Sequence, residues 1–168
     1  MRKINILKSI VDFIWIITAP IGIPLILLFI SAILFYDFAD LNIKIQGIEL
    51  IVQNLFSKIL MAILLLNYLL IIYGLYLFRR SLRYFLNAKI FDVFVINSFR
   101  KIGNVLIISG IISFITSIVA AIYFKQKFTL ELGLNSNLIL IGLGLFFLIL
   151  SEIFTIAKSA KQENDLTI

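Results

Sequence analysis

The residues best suited to chemistry are a few charged side chains in a largely apolar sequence. Asp12 directly precedes the first long apolar segment and Glu152 lies in the last turns of the fourth, and two carboxylates can act as general acid and base. The chain contains no His and no Cys, the residues that most often serve as base, nucleophile or metal ligand. We therefore predict no catalytic, metal or cofactor site and no enzyme. The two acids are interpreted as ion-pair partners of Arg79, Arg83 or Arg100.

The segment from residue 79 to residue 101 mixes basic with aromatic side chains. Such a segment can lie at a membrane surface and attract anionic lipid headgroups, although its charges could also serve only to orient the neighbouring helices. Asp92 is placed to cap a helix that follows it. Nucleic acid is a poor candidate partner because the basic residues are interleaved with aromatic residues that can anchor the segment to a membrane. The candidate contacts to lipid or a protein partner are Arg79, Arg80, Arg83, Phe91, Asp92, Arg100 and Lys101.

Polar and small residues inside the apolar segments form a second group of candidates. Asn67 lies near the middle of one segment, where a side-chain amide should hydrogen-bond to another helix. A ligand contact is the alternative for this residue. Ser109, Ser113 and Ser117 recur every four residues of the next segment, and small residues at this spacing allow close helix packing. These three serines are interpreted as interhelical contacts, with a polar pathway as the alternative.

Two prolines interrupt the first apolar segment. Pro20 and Pro24 are four residues apart and therefore lie on one helix face. Each lacks a backbone N–H and crowds the carbonyl four residues earlier. The pair is a candidate hinge or cavity lining, while a static kink packed against neighbouring helices is the simpler interpretation because membrane helices tolerate proline.

The composition indicates which elements must position these residues. Of the 168 residues, 62% are hydrophobic and 14% are charged, and the mean hydropathy is +1.12, whereas a soluble domain is about half apolar and a quarter charged. About 20 apolar residues cross a bilayer as a helix. Four runs reach that length, and they predict an all-α membrane protein built as a single four-helix transmembrane domain. The predicted spans are residues 13–36, 59–78, 102–124 and 138–157.

The basic residues predict the orientation of these spans. Eleven of the 15 Lys and Arg residues lie in the N-terminal segment, in the loop 79–101 and in the tail 158–168, whereas the other two loops contain four. Cytoplasmic loops are enriched in Lys and Arg. We therefore predict that both termini and the loop 79–101 are cytoplasmic. Three acidic residues near the C-terminal end are further candidates for contact with a partner or lipid: Glu152, Glu163 and Asp165.

The two predicted outer loops share a pattern. Residues 41–46 and 128–132 alternate apolar with polar side chains, and each stretch precedes a glycine. Alternation with a period of two indicates strands. Pairing of these two stretches would form a small two-stranded outer cap on the helix bundle.

Two stretches resemble an uncharacterised bacterial family, the domain-of-unknown-function 2975 family. The C-terminal stretch LSEIFTIAKSAKQENDLTI matches at Glu152, Phe154, Glu163 and the final Asp-Leu-Thr-Ile. The stretch KIFDVFVINSFRKIG matches at Phe91, Asp92, Arg100, Ile102 and Gly103. Two departures are Ala88, where the family usually has Gly, and Asp92, where Ser or Thr is usual.

The resemblance implies a location in the bacterial cytoplasmic membrane and a small helix-turn-helix DNA-binding protein as a partner, because such a protein is often encoded beside family members. It implies no catalytic residues. The leading hypothesis is a regulatory or interaction protein that contacts membrane lipids and a cytoplasmic protein. A transporter or channel subunit is the alternative, although the predicted spans carry few polar residues and four helices would have to oligomerise to enclose a pore.

Overall fold

The structure is a computed structural model that describes residues 2–35, 42–45, 48–51, 54–87, 90–125 and 136–165. Its helices are α1 (Arg2–Ile17), α2 (Ile23–Phe35), α3 (Leu55–Leu86), α4 (Val93–Lys125) and α5 (Ser136–Asp165), with strands β1 (Asn42–Ile45) and β2 (Ile48–Ile51) between α2 and α3.

Four helical stretches are long and apolar enough to cross a membrane. They are Lys3–Ile33, which combines α1 with α2, and then Leu55–Leu86, Val93–Tyr123 and Ser136–Asn164. At about 1.5 Å per residue, the 32 residues of α3 extend about 48 Å, whereas the hydrocarbon core of a bilayer is about 30 Å thick. The helices therefore continue beyond the uncharged runs, and most of the loop expected at residues 79–101 is helical.

A π-helical turn at Thr18–Gly22 joins α1 to α2. Pro20 lies inside this turn and cannot donate a backbone hydrogen bond, and a wider turn is one way in which a helix accommodates such a gap. The Thr18 hydroxyl donates to the carbonyl of Ile14 at 2.7 Å, which satisfies one acceptor near the interruption. Pro20 and Pro24 are both exposed on the outer surface of the bundle, so neither proline lines an internal cavity.

The predicted two-stranded cap is not supported. Strand β1 pairs antiparallel with β2 of the same loop, with Asn42 opposite Ile51 and Ile45 opposite Ile48. The alternating pattern identified the first strand but not its partner. A nearby partner closes a shorter loop and costs less chain entropy than a distant one. The proposed partner, residues 128–132, lies outside the described residues.

Helix α4 is central to the packing, with α5 against one side and α3 against the other, while α1 and α2 pack on α3. One apolar cluster contains Ile33, Leu60, Met61, Ala120 and Ala121. At the other end of the bundle, a second cluster is formed by Leu77, Val95, Phe99 and Ile102. Many large apolar side chains on the outer surface remain exposed, which is the arrangement expected of helices surrounded by lipid.

Candidate functional site

The second cluster lies at what we call the basic end of the bundle, which comprises residues 2–12, 79–101 and 152–165. A short connection there joins α3, which ends at Leu86, to α4, which begins at Val93. Asp92 directly precedes α4 and caps it, since its side-chain Oδ1 accepts a hydrogen bond from the Phe94 backbone N–H at 2.8 Å. The Asp92 carbonyl accepts from the backbone N–H groups of Val95 and Ile96 at 3.0 and 3.2 Å. Asp92 therefore occupies the capping position that the sequence predicted.

An aromatic cluster joins this connection to α5. The ring of Phe154 on α5 has its centroid 6.1 Å from Phe85 of α3, 5.9 Å from Phe91 of the connection and 5.5 Å from Phe99 of α4. Phe99 is itself buried. Rings at these separations attract one another beyond the effect of simple burial. The four side chains, which we call the aromatic platform, therefore hold α3, the connection, α4 and α5 together as one unit.

Helix α5 continues past the aromatic platform as a polar helix. Ser151 faces α4, because its hydroxyl donates to the Ile96 carbonyl at 2.9 Å. The next residue, Glu152, points about 100° away and is exposed. Among the residues that the structure describes, no basic side chain pairs with Glu152, so its expected ion pair does not form. Glu163 is exposed near the end of α5, and Asp165 is its last helical residue.

Glycines allow α4 and α5 to approach closely behind the aromatic platform. A Cβ atom on Gly144 would lie 2.6 Å from Ile107 Cγ1 and 2.8 Å from the Gly103 carbonyl oxygen. A Cβ atom on Gly103 would likewise meet the Gly144 oxygen at 2.8 Å. Backbone atoms cannot rotate away from such contacts. The two helices therefore touch through their main chains, as in small-residue interfaces of membrane proteins.

The arginines of α3 line a cleft on another face of the basic end. The cleft of about 90 Å³ is bounded by Tyr76, Arg79, Arg80 and Arg83. Arg79 Nε donates a hydrogen bond to Asp12 Oδ1 on α1, so the structure joins two of the predicted ion-pair candidates. We call this feature the arginine cleft. Arg100 and Lys101 are exposed on α4 and do not line it.

The two arginines nearest the neighbouring helices are also held by aromatic rings. The guanidinium carbon of Arg79 lies 5.7 Å from the centroid of the Trp15 ring on α1. The guanidinium carbon of Arg80 lies 4.4 Å from the Phe94 ring on α4. Both contacts fall within the range of a cation–π attraction. Arg79 and Arg80 are thus drawn toward two different helices, α1 and α4.

A model of the family described as "Protein of unknown function (DUF2975)" matches residues 19–168. The chain belongs to this family. No curated protein and no solved structure matches it. In this DUF2975 protein, Phe91 and Phe154, one from each family-like stretch, meet in the aromatic platform. Gly103 lies at the main-chain contact between α4 and α5. Residues 166–168 lie outside the described part of the chain.

The predicted interhelical contact of the DUF2975 protein lies in the middle of the bundle. The Asn67 Nδ2 group donates to the Ser109 carbonyl at 3.0 Å and to the Ser113 hydroxyl at 2.8 Å. Asn67 Oδ1 and Ser109 Oγ are buried and have no partner among the described residues. Ser117 donates instead to the Ser113 carbonyl at 2.9 Å. Asn67 and Ser113 therefore link α3 to α4.

Sequence reasoning missed several of these contacts. Phe85 and Phe99 were recognised only as part of an aromatic segment, and the cation–π partner Trp15 was not recognised at all. Gly142 and Gly144 form a Gly-x-Gly pair in α5. Its spacing gives no sign that Gly144 faces α4 whereas Gly142 faces open space. No group of three or more acidic side chains that could hold a metal ion occurs in the described part of the chain.

Proposed function

We propose that this DUF2975 protein is a membrane-embedded interaction protein whose basic end docks a cytoplasmic protein. The observation that supports the proposal is the aromatic platform, in which Phe154 contacts Phe85, Phe91 and Phe99. This contact joins the helix connection and the start of the polar end of α5 into one preformed surface. A preformed surface binds a partner at a lower entropic cost than a flexible segment would.

The distribution of basic residues supports a cytoplasmic position for this surface. The N-terminal segment, residues 79–101 and the tail 158–168 carry eleven Lys and Arg residues against four elsewhere in the chain. A bias of this kind places the richer side in the cytoplasm. We accordingly propose that the protein lies in a bacterial cytoplasmic membrane with both termini on the cytoplasmic side.

The exposed polar helix beyond the aromatic platform supports a charged partner. From residue 158 onward α5 carries Lys158, Lys161 and Glu163, and most of its side chains are exposed. Charges on an interface rim guide association and orient the partner. The family resemblance implies a small helix-turn-helix regulator as the first candidate. Such a protein carries a basic DNA-binding face that the acidic tail residues would attract, and its capture at the membrane would limit its access to DNA.

Site-specific photocrosslinking in living cells tests this proposal. A photoreactive amino acid at exposed Ser159 should form an adduct with a small helix-turn-helix protein, identified by mass spectrometry. The same substitution at exposed Ser136, at the other end of α5, is the matched control and should not form it. Absence of the adduct at Ser159, or equal adducts at both positions, would contradict the proposal.

The alternative of a transporter or channel subunit has less support. Both amide hydrogens of the mid-span Asn67 side chain are engaged with α4. Asn104 is exposed on the outside of α4 instead of facing an internal path. Solute flux in liposomes that contain the purified protein would favour this alternative. We also propose that the protein is not an enzyme, since its acids Asp12 and Glu152 lie on different helices without a nucleophile assigned to either.

A further inference from the structure

The arginine cleft has the chemistry of an anion site. Three guanidinium groups, from Arg79, Arg80 and Arg83, line it together with Tyr76. Asp12 compensates one of these charges through Arg79, which leaves an excess of two. Arg80 and Arg83 are exposed and can donate further hydrogen bonds. Guanidinium groups bind phosphate oxygens through paired N–H donors.

The neighbouring helices hold the cleft open. Arg79 is tied to α1 by Asp12 and by the Trp15 ring, while Arg80 lies over Phe94 of α4. Because the two side chains are anchored to different helices, binding an anion between them requires little additional ordering. Preorganisation of this kind increases affinity by lowering the entropic cost of binding.

The position of the cleft along the helices favours a lipid. It begins where the uncharged run of α3 ends, at Phe78. The rings of Trp15 and Tyr76 lie 5.4 Å apart beside it, and Trp and Tyr are enriched at the headgroup level of membranes. Ile16 lies about one helical turn beyond Asp12 on α1, and Tyr73 lies about one turn beyond Tyr76 on α3, both toward the apolar span. Ile16 is 62% exposed and Tyr73 is 44% exposed. A charged cleft therefore adjoins an apolar surface.

We propose that the arginine cleft binds the headgroup phosphate of an anionic phospholipid. Arg80 and Arg83 donate to the phosphate oxygens, and Arg79 contributes charge while remaining paired with Asp12. The first part of an acyl chain lies against Ile16 and Tyr73. A free phosphate ion offers the same oxygens but gains nothing from these apolar side chains, so the arrangement selects the lipid. This site requires no protein partner and is separate from the docking surface on α5.

The test measures binding of dioleoyl phosphatidylglycerol, labelled on an acyl chain, to the full-length protein in detergent. The variant Arg80→Gln/Arg83→Gln removes the two unpaired donors without disturbing the Asp12–Arg79 contact. The variant Lys158→Gln/Lys161→Gln removes the same charge from α5 and is the matched control. We expect the dissociation constant to rise about thirtyfold in the first variant, as follows from about 1 kcal/mol for each basic residue near an anionic lipid surface. The control should change it less than twofold.

Competition and conservative substitution separate the remaining explanations. Unlabelled phosphatidylglycerol should displace the probe, while phosphatidylcholine with the same acyl chains and inorganic phosphate should displace it weakly. Equal displacement by phosphatidylcholine, strong displacement by inorganic phosphate, or equal effects of the two variants would overturn the proposal. Arg80→Lys/Arg83→Lys keeps the charges and should restore part of the affinity. If the glutamine variant unfolds, this lysine variant must still bind more weakly than the native protein, because it lacks paired donors.

Discussion

The main-chain contact between α4 and α5 leads to a prediction with an internal control. Gly144→Ala adds a Cβ atom 2.6 Å from Ile107 Cγ1 and 2.8 Å from the Gly103 carbonyl oxygen. Gly142→Ala, two residues earlier in the same helix, adds a Cβ atom that meets nothing within 4 Å. Both substitutions add one methyl group to α5, and only Gly144→Ala forces the two helices apart.

The expected loss of unfolding free energy follows from comparing these two variants. Replacing Gly with Ala inside a helix favours the helix by up to about 1 kcal/mol, and this gain is common to both variants. Their difference therefore isolates the overpacking cost, which is typically about 1–3 kcal/mol. We expect Gly144→Ala to lower the free energy of unfolding by that amount relative to Gly142→Ala. Gly103→Ala should lower the unfolding free energy as Gly144→Ala does. The double variant should lower it by less than the sum of the two single changes, because one substitution already separates the helices.

Unfolding by titration with sodium dodecyl sulfate in mixed micelles, followed by circular dichroism, measures these differences. The native protein and the variants are compared at one lipid-to-detergent ratio. If Gly144→Ala and Gly142→Ala change the unfolding free energy equally, the close approach of α4 and α5 is refuted.

Three further predictions use the same assay or the crosslinking experiment. A double-mutant cycle of Asn67→Ala with Ser113→Ala should give a coupling of about 0.6 kcal/mol, the average for hydrogen bonds between membrane helices, and zero coupling would show that the bond does not form. Asp12→Asn should lower the unfolding free energy by about 1 kcal/mol or less because the ion pair is partly exposed, and high salt should reduce this difference; a difference unchanged by salt would contradict the ion-pair account. Phe154→Ala should lower the unfolding free energy by about 3 kcal/mol, the lower end of the range for Phe→Ala, because Phe154 is only partly buried. It should also reduce the regulator adduct at residue 159, while Ile156→Ala at a 65% exposed position should do neither. Equal adduct yields in these two variants would show that the aromatic platform does not support docking.

Much of the architecture can be predicted from patterns in the amino-acid sequence. Uncharged runs of about 20 residues identify helices long enough to cross a bilayer, and four such helices are present. The Asp92 cap is also predictable, since Asp is among the residues preferred at the N-terminal cap of a helix. The contact of Asn67 with α4 follows from the cost of leaving an amide unpaired in an apolar environment.

The remaining contacts depend on how the helices are rotated against one another. A sequence that is apolar all round a helix gives little information about which side faces a neighbour. Thus the spacing of Gly142 and Gly144 could not identify the residue that contacts α4. Likewise, Glu152 was expected to reach the basic residues, but Ser151 faces α4 and turns the acid outward. The partner of β1 could not be identified because alternation is a property of each strand alone.

The basic end is proposed to lie on the cytoplasmic side of a membrane, and cysteine labelling measures this orientation directly. The chain contains no cysteine, so Ser136→Cys and Ser159→Cys provide single reporters at exposed positions near opposite ends of α5. A membrane-impermeant maleimide applied to intact spheroplasts should label the cysteine at residue 136. It should label the cysteine at residue 159 only after the membrane is permeabilised. Labelling of both positions from the same side, or the reverse pattern, would contradict the account.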